Sequence, residues 1–120
     1  MKLLAIDHVQ LGMPVGKEER AAEFYANILG LKQVSKPAQL ANRGGAWFEN
    51  DSVKVHLGVE QDFRPARKAH PAFVLDDIST LLCLLKEKGY QITPAETMNG
   101  IERVHVNDPF GNRIELIGSK

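Results

Sequence analysis

Residues 17–34, KEERAAEFYANILGLKQV, and residues 77–93, DISTLLCLLKEKGYQIT, decide the fold, because each reads as a helix, a glycine stop and an extended start. In the first stretch Ala21, Phe24, Tyr25 and Ile28 fall at the i, i+3, i+4, i+7 spacing of an amphipathic helix over 17–29. Glu18 and Glu19 occupy its first turn, where the helix dipole favours negative charge. Gly30 supplies a left-handed stop and Leu31 its hydrophobic contact. In the second stretch Asp76 or Asp77 caps a helix running through Lys88, with Ile78, Leu81, Leu82 and Leu85 as the buried stripe. Lys86 and Lys88 sit in its last turn and Gly89 ends it, 59 residues after Gly30.

The flanks repeat as well. LAIDHVQLG (4–12) alternates as a strand, and HPAFVLD (70–76) holds the matching place before the second helix. Three extended stretches follow the first helix: KQVSKP, GAWFEN and SVKVHLGVE. Three follow the second, near 90–97, 102–107 and 112–118, with DPFGN (108–112) as a hairpin turn. His8 and His70 stand 62 residues apart, and His56 and Glu115 stand 59 apart. The predicted fold is α+β. Two tandem βαβββ modules (1–60 and 70–120, joined by a linker over 61–69) form one domain, with curved mixed sheets making a trough and helices on the outer face.

Composition narrows the function. Fifteen basic residues balance fifteen acidic ones among 120, so the electrostatic footprint of a nucleic-acid or membrane-surface binder is missing. A chain this long buries roughly two thirds of its unfolded surface, enough for a core without staples. One cysteine, Cys83, excludes an internal disulfide and any multi-cysteine zinc site, and it reads as a helix packing residue. No apolar run approaches the ~20 residues of a membrane span, and the N-terminus is too short in apolar residues for a signal peptide. The expectation is a cytoplasmic protein.

Strand parity then separates packing from chemistry. In SVKVHLGVE, Val53, Val55, Leu57 and Val59 oppose Lys54, His56, Gly58 and Glu60. Ile114 and Leu116 oppose Arg113 and Glu115, while Val104 and Val106 oppose Arg103, His105 and Asn107. Val9 and Leu11 go to the helix side, leaving His8 and Gln10 on the other. His70 shares its face with Ala72 and Val74, so its side is open from parity alone. His8, His56, His70 and Glu115 fill paired slots in the first and last strands of the repeats. Three imidazoles and a carboxylate suit a divalent ion such as Fe(II), Zn, Mn, Co or Ni, with one or two positions left open.

DHVQLG, EFYANILGL, VKVHLG, AHPAFVLDD and NDPFGNRIELI together resemble the vicinal oxygen chelate superfamily, over nearly the whole chain. That group includes glyoxalase I, extradiol dioxygenases, fosfomycin-resistance thiol transferases and bleomycin-binding proteins. The resemblance implies paired βαβββ modules and a metal held by His8, His70 and Glu115. A fourth ligand, usually Glu in glyoxalase I, falls on His56, a departure that leaves a poorer base there. Small members commonly dimerise, so a homodimer is expected. The implied function is metal-dependent chemistry on adjacent oxygens of a small substrate, of lyase/isomerase or dioxygenase type. Glu115, or His56 off the metal, would be the base. The alternative is a metal-free drug-binding protein of the bleomycin-resistance type, and a third reading is an interaction subunit with a filled trough.

Other residues carry lesser expectations. His105 has the parity for an acid/base or pocket-wall role. Arg113 shares the face of Glu115 and would orient it or bind an anion, and Arg67, in the basic linker DFRPARKAH, would meet an anionic substrate.

Overall fold

Gly30 and Gly89 end their helices at φ of 80° and 84°, a left-handed conformation that costs a β-carbon-bearing residue dearly. The computed structural model describes residues 1–119, and it divides the chain into two units, Met1–Arg64 and the segment from Pro65 onward.

In the first unit β1 (Val9–Met13) is followed by α1 (Glu18–Ala22), which widens into π-helical turns over Glu23–Ile28. Then come β2 (Lys32–Val34), a 3-10 segment (Ala38–Arg43), β3 (Ala46–Glu49) and β4 (Lys54–Val59). The sheet order is β1-β4-β3-β2, with β1 parallel to β4 and the other pairs antiparallel. Ala21, Phe24, Tyr25 and Ile28, the predicted stripe, are all buried, with Phe48, Val55 and Leu57 also in the core. Phe24 meets Tyr25 edge-on at 4.9 Å, and Tyr25 stacks on Phe48 at 5.6 Å.

The second unit repeats the plan with β5 (Ala72–Leu75), α2 (Ile78–Glu87), β6 (Ile92–Pro94), β7 (Arg103–Asn107) and β8 (Arg113–Gly118) in the order β5-β8-β7-β6. Asp77 caps α2 by accepting from the Thr80 amide at 3.1 Å. Ile78, Leu81 and Leu85 are buried, as are Val104, Val106, Ile114 and Leu116. Those strand residues form one face of the sheet, so Arg103, His105, Arg113 and Glu115 must point to the other. The DPFGN turn closes through Asp108 N–H to Asn112 O at 2.9 Å, and its backbone fixes the β7–β8 register.

Two expectations needed correction. The first strand begins at Val9, not at residue 4, because its partner β4 begins at Lys54 and the chain before that turns away. There Asn50 Oδ1 accepts from the amides of Ser52 and Val53, leaving residues 4–8 no ladder to join. Cys83 is exposed on α2, not packed. Among the described residues no helix is long and apolar enough to cross a membrane.

Candidate functional site

In the second unit three strand-borne groups converge. His105 and Glu115 are direct cross-strand partners on β7 and β8. His70 reaches the same point because the chain before β5 runs beside β8, where Arg113 N–H donates to Ala66 O and Glu115 N–H to Pro71 O. One ligand atom from each of His70, His105 and Glu115 lies within 4.8 Å of the others. His70 Nε2 is 2.9 Å from Glu115 Oε1, and His105 Nε2 is 3.6 Å from the same oxygen. Donors held about 2.0–2.2 Å from one metal ion sit roughly 3–3.5 Å apart, so the spacing suits such an ion.

Hydrogen bonds assign the ring nitrogens. His70 Nδ1 lies 2.7 Å from the Lys68 carbonyl, which can only accept, so Nδ1 carries the hydrogen. Its Nε2 then faces a carboxylate oxygen, and two lone pairs at 2.9 Å repel unless a cation (a proton or a metal ion) stands between them. Tying Nδ1 to a carbonyl while Nε2 faces the centre is also the usual outer support of a metal-bound histidine. His105 is arranged the other way. Arg113 donates to its Nδ1 at 3.1 Å, so the hydrogen sits on Nε2 and points toward Glu115. Burial, then the Arg113 charge, holds the His105 ring below the usual imidazole range, which keeps it neutral.

Glu115 is buried, and Arg103 donates to its Oε2. The His70 hydrogen bond, reinforced by Arg103, lowers its carboxyl below the usual range against an opposing effect of burial. Strand parity puts Arg103 on this face and assigns it no role. Its contact runs diagonally across the strands, since its direct partner is Ile117.

The first unit holds His8 and His56 in a different arrangement. His56 lies between two rings, Trp47 at 3.8 Å and His8 at 4.1 Å, nearly parallel to Trp47. Trp47 is its direct cross-strand partner, the place His105 takes beside Glu115. Burial, then the His8 charge, lowers the His56 pKa. His8 Nδ1 donates to Asp7 Oδ1 at 2.8 Å, so its lone pair sits on Nε2. The expected ligands thus divide by unit: His8 and His56 stack in the first, His70 and Glu115 meet in the second with His105. Arg113 and Arg67 line a cavity there.

Comparisons with known proteins bear on the fold and the family. Residues 5–116 match the family model described as Glyoxalase/Bleomycin resistance protein/Dioxygenase superfamily. A protein assigned to the glyoxalase family in Bacillus anthracis is 41% identical, with a TM-score of 0.93, covering 100% of this chain and 98% of its own. A glyoxalase/dioxygenase from Nostoc punctiforme is 21% identical, covers 100% and 98%, and has a TM-score of 0.77. The fosfomycin resistance protein FosX of Listeria monocytogenes shares the fold at 12% identity, with a TM-score of 0.77 over 99% and 96%. No curated protein matches. A match across nearly the whole chain and a relative of this identity carry one conclusion: the chain belongs to the Glyoxalase/Bleomycin resistance protein/Dioxygenase superfamily.

Proposed function

We propose that the protein is a divalent-metal-dependent enzyme acting on a small substrate with two adjacent oxygens, by proton transfer of the lyase or isomerase type or by dioxygenation. The observation that carries this reading is the His70 Nε2–Glu115 Oε1 approach at 2.9 Å, with His70 Nδ1 already committed to Lys68. His70 and Glu115 would hold the ion, and His8, whose Nδ1 is likewise tied to an oxygen, is the ligand that family resemblance assigns in the first unit. When bound, the ion supplies Lewis acidity toward negative charge on the substrate oxygens. His105, neutral with its hydrogen on Nε2, would donate a hydrogen bond to negative charge developing on the substrate oxygens, and Glu115 would be the base. A homodimer belongs to the same proposal, supported by the exposed apolar side chains of Leu3, Leu4 and Ile6.

One observation favours a second reading, a metal-free small-molecule binder: Arg103 already neutralises Glu115 with a guanidinium. Titration with Zn, Mn, Co and Fe(II), followed by hemithioacetals, catechols and thiol–epoxide pairs, separates the two. Stoichiometric uptake, lost in Glu115→Gln, together with metal-restored turnover supports the enzyme. Absence of uptake together with tight binding of a bulky ligand supports the binder.

A further inference from the structure

We infer that the second unit binds a small molecule through an oxyanion group (carboxylate, phosphonate or phosphate) in the cavity beside His105. The cavity has a volume of about 480 Å³ and is lined by Arg67, Arg113, His105, Thr93, Asn107 and Gln91, among others. That size accommodates a small metabolite. No aspartate or glutamate is among the described residues that line it.

Charge is the first argument. Among the described residues neither Arg67 nor Arg113 forms an ion pair. The acceptor of Arg113, His105 Nδ1, is a neutral ring nitrogen and leaves the guanidinium charge unbalanced. Two uncompensated guanidinium groups around one concavity raise the local concentration of anions, and their planar forks match oxyanions two oxygens at a time. By contrast Arg103, on the same sheet face, is spent on Glu115.

Placement is the second argument. Arg113 opens β8, and its amide holds the Ala66 carbonyl at 2.9 Å, which anchors the segment carrying Arg67 beside it. Asn112 Oδ1 adds a second tie by accepting from the Ala66 amide at 3.2 Å. Thr93 is the cross-strand partner of His105, so a hydroxyl stands next to the imidazole on the neighbouring strand. His105 belongs to both the cavity and the cluster with Glu115 and His70. A ligand anchored by its anionic end on the arginines would therefore lie against His105, the hydrogen-bond donor of the proposal above. The inference deepens that proposal by naming the substrate's charge. It rests on the proposal only for the reacting end, because anion binding needs no metal.

The test uses the full chain stripped of metal, titrated calorimetrically with inorganic phosphate, methylphosphonate and malate, and with malamide as the neutral control. The expected result is saturable binding of at least one anion that weakens as sodium chloride is raised, with malamide failing to bind. Arg113→Gln and Arg67→Gln should each weaken binding at least fivefold. Arg67 is exposed, so its replacement leaves the fold intact even where Arg113→Gln disturbs the His105 contact. The His105 ring resonances should shift as the anion saturates. Equal affinity for malamide and malate, absence of anion binding, or wild-type binding in both variants would overturn the inference. Anion binding without metal uptake retains it and removes the metal reading, and metal uptake without anion binding does the reverse.

Discussion

Arg103 donates to Glu115 Oε2, the oxygen that His70 leaves untouched, so this buried carboxylate is held from both sides. The guanidinium therefore occupies the electrostatic place that a metal ion would share. Replacing it by Arg103→Gln leaves Glu115 with less compensation. The metal-free variant should lose about 1–3 kcal/mol of stability, the usual cost of stranding a buried charged group. Divalent ions should bind this variant more tightly than they bind the parent, and saturating metal should return stability through linkage. Thermal melts with and without Zn check both halves. Unchanged stability without metal would show that the pair contributes nothing.

Acid should expose the same carboxylate. The folded Glu115 carboxyl is lowered from its ordinary 4.5 by the His70 hydrogen bond first and by Arg103 after it. A lowered carboxyl contributes stability that is fully present above the ordinary value and is lost as pH falls through the folded one. Metal-free protein should therefore lose stability below about pH 4.5 more steeply than Glu115→Gln, which has no such proton to bind. Denaturant midpoints between pH 3 and 6 measure the difference, and parallel curves would contradict it.

Much of this fold was legible in the sequence because helix ends and strand faces are local properties. The spacing of Ala21, Phe24, Tyr25 and Ile28 and the glycines at 30 and 89 need no distant partner to be read. The meeting of His105 with Glu115 was available too, by counting outward from the DPFGN turn, where Asn107 faces Arg113 and Val106 faces Ile114. Arg103 was harder, because a diagonal reach depends on how a long side chain lies across the sheet. The early end of β1 was not legible. Leu4 and Ile6 alternate like strand residues, yet a strand needs a neighbour, and the chain before Lys54 turns off. The Trp47–His56–His8 stack was hidden as well, since ring orientation is set by packing and not by parity.

That stack gives an optical readout, for Trp47 is the protein's single tryptophan. Burial and the neighbouring His8 lower the His56 pKa, so the ring stays neutral in the fold until pH falls below 6.5. The associated stability is present above that value and fades as pH drops through the lowered one. Trp47 emission should therefore change with a midpoint below 6.5, because charging a ring at 3.8 Å alters the indole's surroundings. His56→Asn should abolish the step. A midpoint above 6.5, or a step that survives the substitution, would contradict the assignment.

The exposed segment before β1 bears on association. Leu3, Leu4 and Ile6 are 98%, 88% and 82% exposed, and Met1 to Asp7 form no strand in the first unit. Each such side chain gains roughly 1.5–3 kcal/mol when fully buried, so covering even two of them against a second copy would favour a dimer appreciably. A charge placed there must be desolvated on association while doing little to the folded unit, because the position touches no core. Ile6→Glu should accordingly shift sedimentation from dimer toward monomer by tenfold or more in dissociation constant, with the thermal midpoint of the monomer unchanged. Sedimentation of the parent as a monomer at high concentration would remove the dimer from the proposal and leave the His70–Glu115 centre untouched.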